Sequence, residues 1–182
     1  MRPLQALHSN NLRQVKLPDG SSSVYLKTNT VHKTNAIEVY YQCGEQNTRE
    51  NALVELFCQV ISESSFNVLR TQEQLGYIVA SGVRNFGGVQ GVRIIVQSDK
   101  SPAYLDERIE NYIQITKETV EKMTDEEFKM HVDALVLTKL EEPKKMSRQC
   151  DLYWNEITSH QYNFDRGIRF KNKILNSLNF CL

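Results

Sequence analysis

Arg70 and Tyr77 stand at the two ends of a short string, Arg70-Thr-Gln-Glu-Gln-Leu-Gly-Tyr77, that follows Leu69. Arg70 falls where a long helical pattern ends, and Gly76 releases the backbone just before a strand begins at Tyr77. An arginine at such a turn offers five N–H donors in a fixed fork, and the tyrosine offers one phenolic O–H. Aimed into the same space, they could stabilise negative charge developing on a carbonyl oxygen, as an oxyanion hole does. A second arrangement is open to the same residues. Arg70 could pair with Glu73 or with the helix C-terminus, and Tyr77 could lie half-buried on a sheet. Residue chemistry alone favours this second arrangement.

Other chemistry is sparse. The histidines are His8, His32, His131 and His160, and no two sit close enough for a helical ligand pair. Neither H-E-x-x-H nor H-x-x-E-H occurs, so the usual zinc-peptidase ligand helix is absent from this sequence. Glu127 with His131, and Glu156 with His160, lie one helical turn apart, a spacing that mostly stabilises a solvated helix face. No residue is assigned to metal or cofactor binding. No G-x-S-x-G and no phosphate-binding glycine loop occurs. Cys58 reads as a small buried thiol on a helix, and Cys43 follows a strand with no base to activate it.

Composition narrows the classes. Lysine plus arginine, 22, equals aspartate plus glutamate, 22, over 182 residues, so no basic stripe points to nucleic acid. Four well-separated cysteines (Cys43, Cys58, Cys150, Cys181) are not a disulfide scaffold and fit a reducing, cytoplasmic compartment. The N-terminus has no apolar core of a signal peptide, and no run approaches the apolar length needed to span a bilayer.

The elements that must position Arg70 and Tyr77 follow from periodicity. Leu12–Leu17 and Ser23–Lys27 predict a hairpin around the Pro18-Asp-Gly-Ser21 turn. Ala36–Gln42 is β-branched and aromatic, as a half-buried strand requires. Thr48 predicts the N-cap of a long helix with Leu53, Leu56, Phe57, Val60 and Ile61 facing the core. Strands Tyr77–Val83 and Val89–Gln97 flank the reversal at Asn85-Phe-Gly-Gly88. Ser101-Pro102 opens a helix with Leu105, Ile109, Tyr112, Ile113, Thr116, Val120 and Met123 inward. Thr124–Glu127 is a capping box for another, with Phe128, Val132, Leu135 and Val136 inward, stopped by Pro143. A last helix from about Ser147 carries Cys150, Tyr153, Trp154 and Ile157. Runs of strands followed by runs of helices predict an α+β fold, a mostly antiparallel sheet covered on one face by helices.

Beyond this pattern, several strings resemble one known family. They are Glu55-Leu-Phe-Cys-Gln-Val-Ile-Ser-Glu63, Phe66-Asn-Val-Leu-Arg-Thr-Gln-Glu-Gln-Leu-Gly-Tyr-Ile-Val79, Gly91-Val-Arg-Ile-Ile-Val-Gln-Ser98 and Gln161-Tyr-Asn-Phe-Asp-Arg166. Together with Met123-Thr124, Pro143-Lys-Lys145 and Tyr153-Trp154 they resemble the last domain of the pitrilysin-type, insulin-degrading-enzyme-like zinc metallopeptidases, the inverted-motif group. The resemblance implies a pitrilysin/LuxS-like domain in a clam-shell of two halves. In that family zinc, its ligands and the catalytic glutamate lie in the N-terminal half. The C-terminal half closes over unfolded peptides and contributes an arginine and a tyrosine, which fall on Arg70 and Tyr77 here.

The resemblance also sets expectations about extent. It runs from Leu12 to Arg166, leaving residues 1–11 as a lead-in and Gly167–Leu182 as a divergent tail. On this reading the chain is one part of a zinc metalloendopeptidase, truncated at its C-terminus, with no zinc of its own and inactive when isolated. Its partners would be unfolded peptide substrates and the N-terminal zinc-bearing half or a full-length relative, with no nucleic acid and no membrane. A non-catalytic peptide- or protein-binding module derived from the same family is the alternative.

Overall fold

The computed structural model describes residues 14–159 and 161–169. Strand β1 (Asn35–Glu45) leads into helix α1 (Thr48–Ser65), which widens into a π-helical turn, Phe66–Gln72. Strands β2 (Ile78–Phe86) and β3 (Val89–Ser98) follow, then helices α2 (Pro102–Glu121), α3 (Asp125–Leu140) and α4 (Met146–Thr158). The three strands form one antiparallel sheet in the order β1-β3-β2. The α+β expectation holds.

Local chemistry sets most of these boundaries. Gly87 and Gly88 both have positive φ, at 57° and 83°, so they form the two-residue reversal that right-twisted strands favour. Asn47, not Thr48, caps α1; its side-chain oxygen accepts from the Arg49 and Glu50 amides at 3.1 and 2.9 Å. Ser101 caps α2 with Pro102 in the first turn, and the Thr124/Glu127 capping box is complete in both directions.

Register decides which face is covered. Val92, Ile94 and Val96 of the central strand point one way, opposite Tyr41, Val39 and Ile37 on β1 and Val83, Ser81 and Val79 on β2. Helices α1 and α2 lie on that face. Ile94 and Val96 pack with Leu69, Leu75, Leu105, Ile109 and Tyr112, while Val92 packs with Val54, Cys58 and Ile61. Each fully buried Leu or Ile stabilises the fold by about 1.5–3 kcal/mol. Ala52 and Leu56 turn to Val132 and Leu135 of α3, where Lys139 and Glu55 also pair at 2.9 Å. The opposite sheet face is open and carries the Arg84–Glu38 ion pair.

Several expectations fail in instructive ways. Residues 23–27 form no strand. The turn is present, with the Ser21 amide bonded to the Pro18 carbonyl at 3.1 Å. Yet Val24, Tyr25 and Leu26 are all exposed, so a hairpin there would have no core to pack on. The α1 stripe is displaced, because Leu53 is 49% exposed while Ala52 and Val54 are buried. The helix is shared between sheet and α3, and a single-stripe reading misses that. The helical run Thr48–Gln72 is also long and apolar enough, by composition, to cross a bilayer, contrary to the sequence reading. Here Ala52, Val54, Leu56, Cys58, Ile61 and Leu69 of that run are buried in the core, while Leu53 and Phe66 are exposed.

Helices α2, α3 and α4 are drier in prediction than in fact. Val120 and Phe128 are exposed, as are Tyr153, Trp154 and Ile157 on α4. Helix α4 buries only Glu156, which accepts a forked bond from Arg166 at 2.5 and 3.0 Å and the Asn163 amide at 2.9 Å. Glu156 is thus committed to Arg166. Its expected partner His160, the lead-in 1–11 and the tail from residue 170 lie outside the described residues.

Candidate functional site

The Arg70–Tyr77 segment is fixed by its neighbours in the chain. Leu69, directly before Arg70, and Leu75, two residues before Tyr77, are both fully buried in the main core. Between them the wide helix unwinds. The Glu73 amide bonds the Val68 carbonyl at 2.9 Å and the Leu75 amide bonds the Leu69 carbonyl at 3.0 Å. Gln74 takes a left-handed φ of 49°, rare for a side-chain-bearing residue. The Ser98 hydroxyl donates to the Leu75 carbonyl from the end of β3. Gly76 then passes so near β3 that a Cβ would fall 1.8 Å from the Gln97 carbonyl oxygen. Only glycine fits.

This frame brings Arg70 and Tyr77 together. The Arg70 guanidinium carbon lies 4.5 Å from the Phe66 ring centre and 5.1 Å from the Tyr77 ring centre. Both distances are within cation–π range. Both contacts are to aromatic rings, and neither is a hydrogen bond from the guanidinium N–H donors to an acceptor. Among the described residues, none of those donors makes a hydrogen bond or an ion pair. Tyr77 is 84% exposed, so it is not the half-buried sheet residue of the second arrangement. Nor does Arg70 pair with Glu73. That carboxylate is held in a fork by Arg108, Nε to Oε2 and Nη2 to Oε1, each at 2.7 Å.

The arrangement is a partly exposed cation, its donors unused among the described residues, beside an exposed phenol. Such a pair can bind a carbonyl oxygen and stabilise negative charge on it. It contains no nucleophile and no base. Among the described residues no three His, Cys, Asp or Glu side chains come together as a metal site. This donor set does not fit zinc. His32 is exposed, and Glu127 serves the α3 cap, where the Thr124 amide and hydroxyl hold its carboxyl below the usual range. Burial pushes the Cys58 thiol up to about 12, which disfavours a reactive thiolate.

Three contributors escaped the sequence. Phe66, four residues before Arg70, shares its side of the helix, and that spacing was a signal in plain view. Arg108 and Ser98 act from elements far along the chain, and no local pattern announces them.

The chain is similar to known proteins over most of its length. The family model described as PQQ synthase PqqF-like, C-terminal lobe domain 4 matches residues 56–154. Insulin-degrading enzyme from Homo sapiens is 50% identical over 165 residues, which is 91% of this chain and 16% of that protein. The Drosophila melanogaster insulin-degrading enzyme is 43% identical over 90% of this chain and 17% of its own length. Human nardilysin is 33% identical over 91% and 15%. The crystal structure of pitrilysin superposes with a TM-score of 0.68 at 23% identity, over 79% of this chain and 16% of that one. The chain therefore spans about one sixth of the length of these relatives.

Proposed function

The chain belongs to the PqqF-like C-terminal lobe family of pitrilysin-type, insulin-degrading-enzyme-like metallopeptidases, and we propose that it serves as the substrate-closing, zinc-free domain of such a peptidase. One observation carries the reading: Arg70 lies within cation–π range of both Phe66 and Tyr77, and among the described residues its N–H donors are unused. In this role Arg70 and the Tyr77 hydroxyl donate to the scissile carbonyl of an unfolded peptide. They would bind that oxygen more strongly as it gains charge, which lowers the barrier rather than merely holding substrate.

The zinc and the water-activating groups belong, in this proposal, to the N-terminal half that the family resemblance implies. The isolated chain is then inactive, and its partners are that half and extended peptides. A cytoplasmic location is part of the same proposal, supported by the widely spaced cysteines. The test is cleavage of an unstructured peptide after mixing the chain with a zinc-bearing N-terminal half. Cleavage lost in both Arg70→Ala and Tyr77→Phe supports the reading.

A second reading is a non-catalytic binding module, favoured by the exposed apolar side chains of α4, among them Trp154 at 63% exposure. Peptide or protein binding that is indifferent to Arg70→Ala and Tyr77→Phe, with no cleavage on mixing, would select it.

A further inference from the structure

Arg70 and Glu73 are three residues apart at the end of the π-helical turn, a cation and a carboxylate that the chain brings close together. They do not meet here. Both Glu73 oxygens are taken by Arg108 of α2, at 2.7 Å each, in the bidentate geometry that makes guanidinium–carboxylate pairs strong. The partners are held from below. Arg108 lies beside the buried Leu105 and Ile109, and the Glu73 amide is tied to Val68. The Glu73 side chain is only 17% exposed. Removal of Arg108 would leave this carboxylate without its ion partner, and Arg70, three residues away in the chain, is a cation free to replace it.

We propose that Arg108 is a positioning residue, which withholds Glu73 from Arg70 and so keeps the Arg70 donors open to a substrate carbonyl. The inference rests on the carbonyl-stabilising reading above. An Arg70 bonded to Glu73 would be neutralised and drawn away from the two rings. Its donors would then be spent on a carboxylate of its own chain. Phe66 and Tyr77 hold the guanidinium by cation–π contact, and Arg108 keeps Glu73 away from its donors.

The test uses arginine side-chain NMR on the whole chain, for wild type, Arg108→Met and the double variant Arg108→Met/Glu73→Gln. In Arg108→Met the Arg70 Nε–H resonance should move downfield and exchange more slowly with water, as the new bond to Glu73 forms. In the double variant it should return to the wild-type position. Peptide cleavage reconstituted with a zinc-bearing half should fall roughly tenfold to a hundredfold in Arg108→Met and recover in the double variant. A merely structural ion pair would not recover, because the pair is still missing. Should Arg108→Met fail to fold, Arg108→Lys keeps the charge without the fork, and a partial shift is expected.

An unchanged Arg70 resonance, or no recovery in the double variant, overturns the inference. Failure of the underlying reading looks different. In that case the resonance shifts and recovers, but Arg70→Ala leaves reconstituted cleavage intact.

Discussion

The Arg70 guanidinium carbon sits 5.1 Å from the centre of the Tyr77 ring, although a helix end and a reversal of the chain separate the two residues. The contact exists because Leu69 and Leu75 are both fully buried and Gly76 touches β3. The site is thus a product of the core beneath it, and its supports can be tested one at a time.

Gly76 is the tightest of those supports. Gly76→Ala places a methyl group against the Gln97 carbonyl, and the cost should be about 1–3 kcal/mol or more, as for overpacking in a core. A lowered urea midpoint with an unchanged slope would register it. A neutral Gly76→Ala would mean that the strand end yields freely.

Leu69→Ala removes a fully buried side chain next to Arg70 and should cost about 2–5 kcal/mol. Leu137 is 72% exposed on α3, and Leu137→Ala should stay within about 0.5 kcal/mol. Thermal and denaturant unfolding of the two variants side by side check the contrast.

How much of this was legible in advance divides by range. The strand at Ala36–Gln42, the Gly87-Gly88 reversal, the Ser101-Pro102 start and the Thr124 capping box all depend on contiguous residues, and each stands in the fold. The arrangement of Arg70 depended on Glu73, which sequence paired with its helical neighbour. The actual partner, Arg108, lies 35 residues away on another helix. No periodicity encodes that choice. The π-helical widening at Phe66–Gln72 was equally hidden, since no glycine or proline marks it. The apolar spacing of α4 encodes a helix, yet that face is exposed, because spacing reports a stripe and not what covers it.

Cysteine labelling reports the packing of α1. Burial raises the Cys58 pKa from 9.0 to about 12, whereas Cys150 is exposed. At pH 8 a thiol reagent should modify the Cys150 peptide well before the Cys58 peptide, as read by mass spectrometry. Denaturant should erase the difference. Stability contributed by this burial is therefore complete below pH 9.0 and is lost as pH rises toward 12.

The α3 cap carries the opposite sign. Glu127 has its carboxyl lowered from 4.5 chiefly by the Thr124 backbone bond. Its contribution is therefore present above pH 4.5 and is lost as pH falls through the lowered folded value. Glu127→Gln should flatten the acid dependence of α3 amide protection, whereas Thr124→Ala, which keeps the backbone N–H, should weaken it only in part and destabilise the helix by roughly 1 kcal/mol. An unchanged acid profile would remove the cap from this role.

The most direct measurement is peptide cleavage by the repurified chain, alone and mixed with a zinc-bearing N-terminal half, in wild type and Arg70→Ala. The expected result is no cleavage alone, cleavage on mixing, and a loss of about 100-fold or more with Arg70→Ala. Zinc-dependent cleavage by the chain alone, or reconstituted cleavage that Arg70→Ala leaves intact, would contradict it.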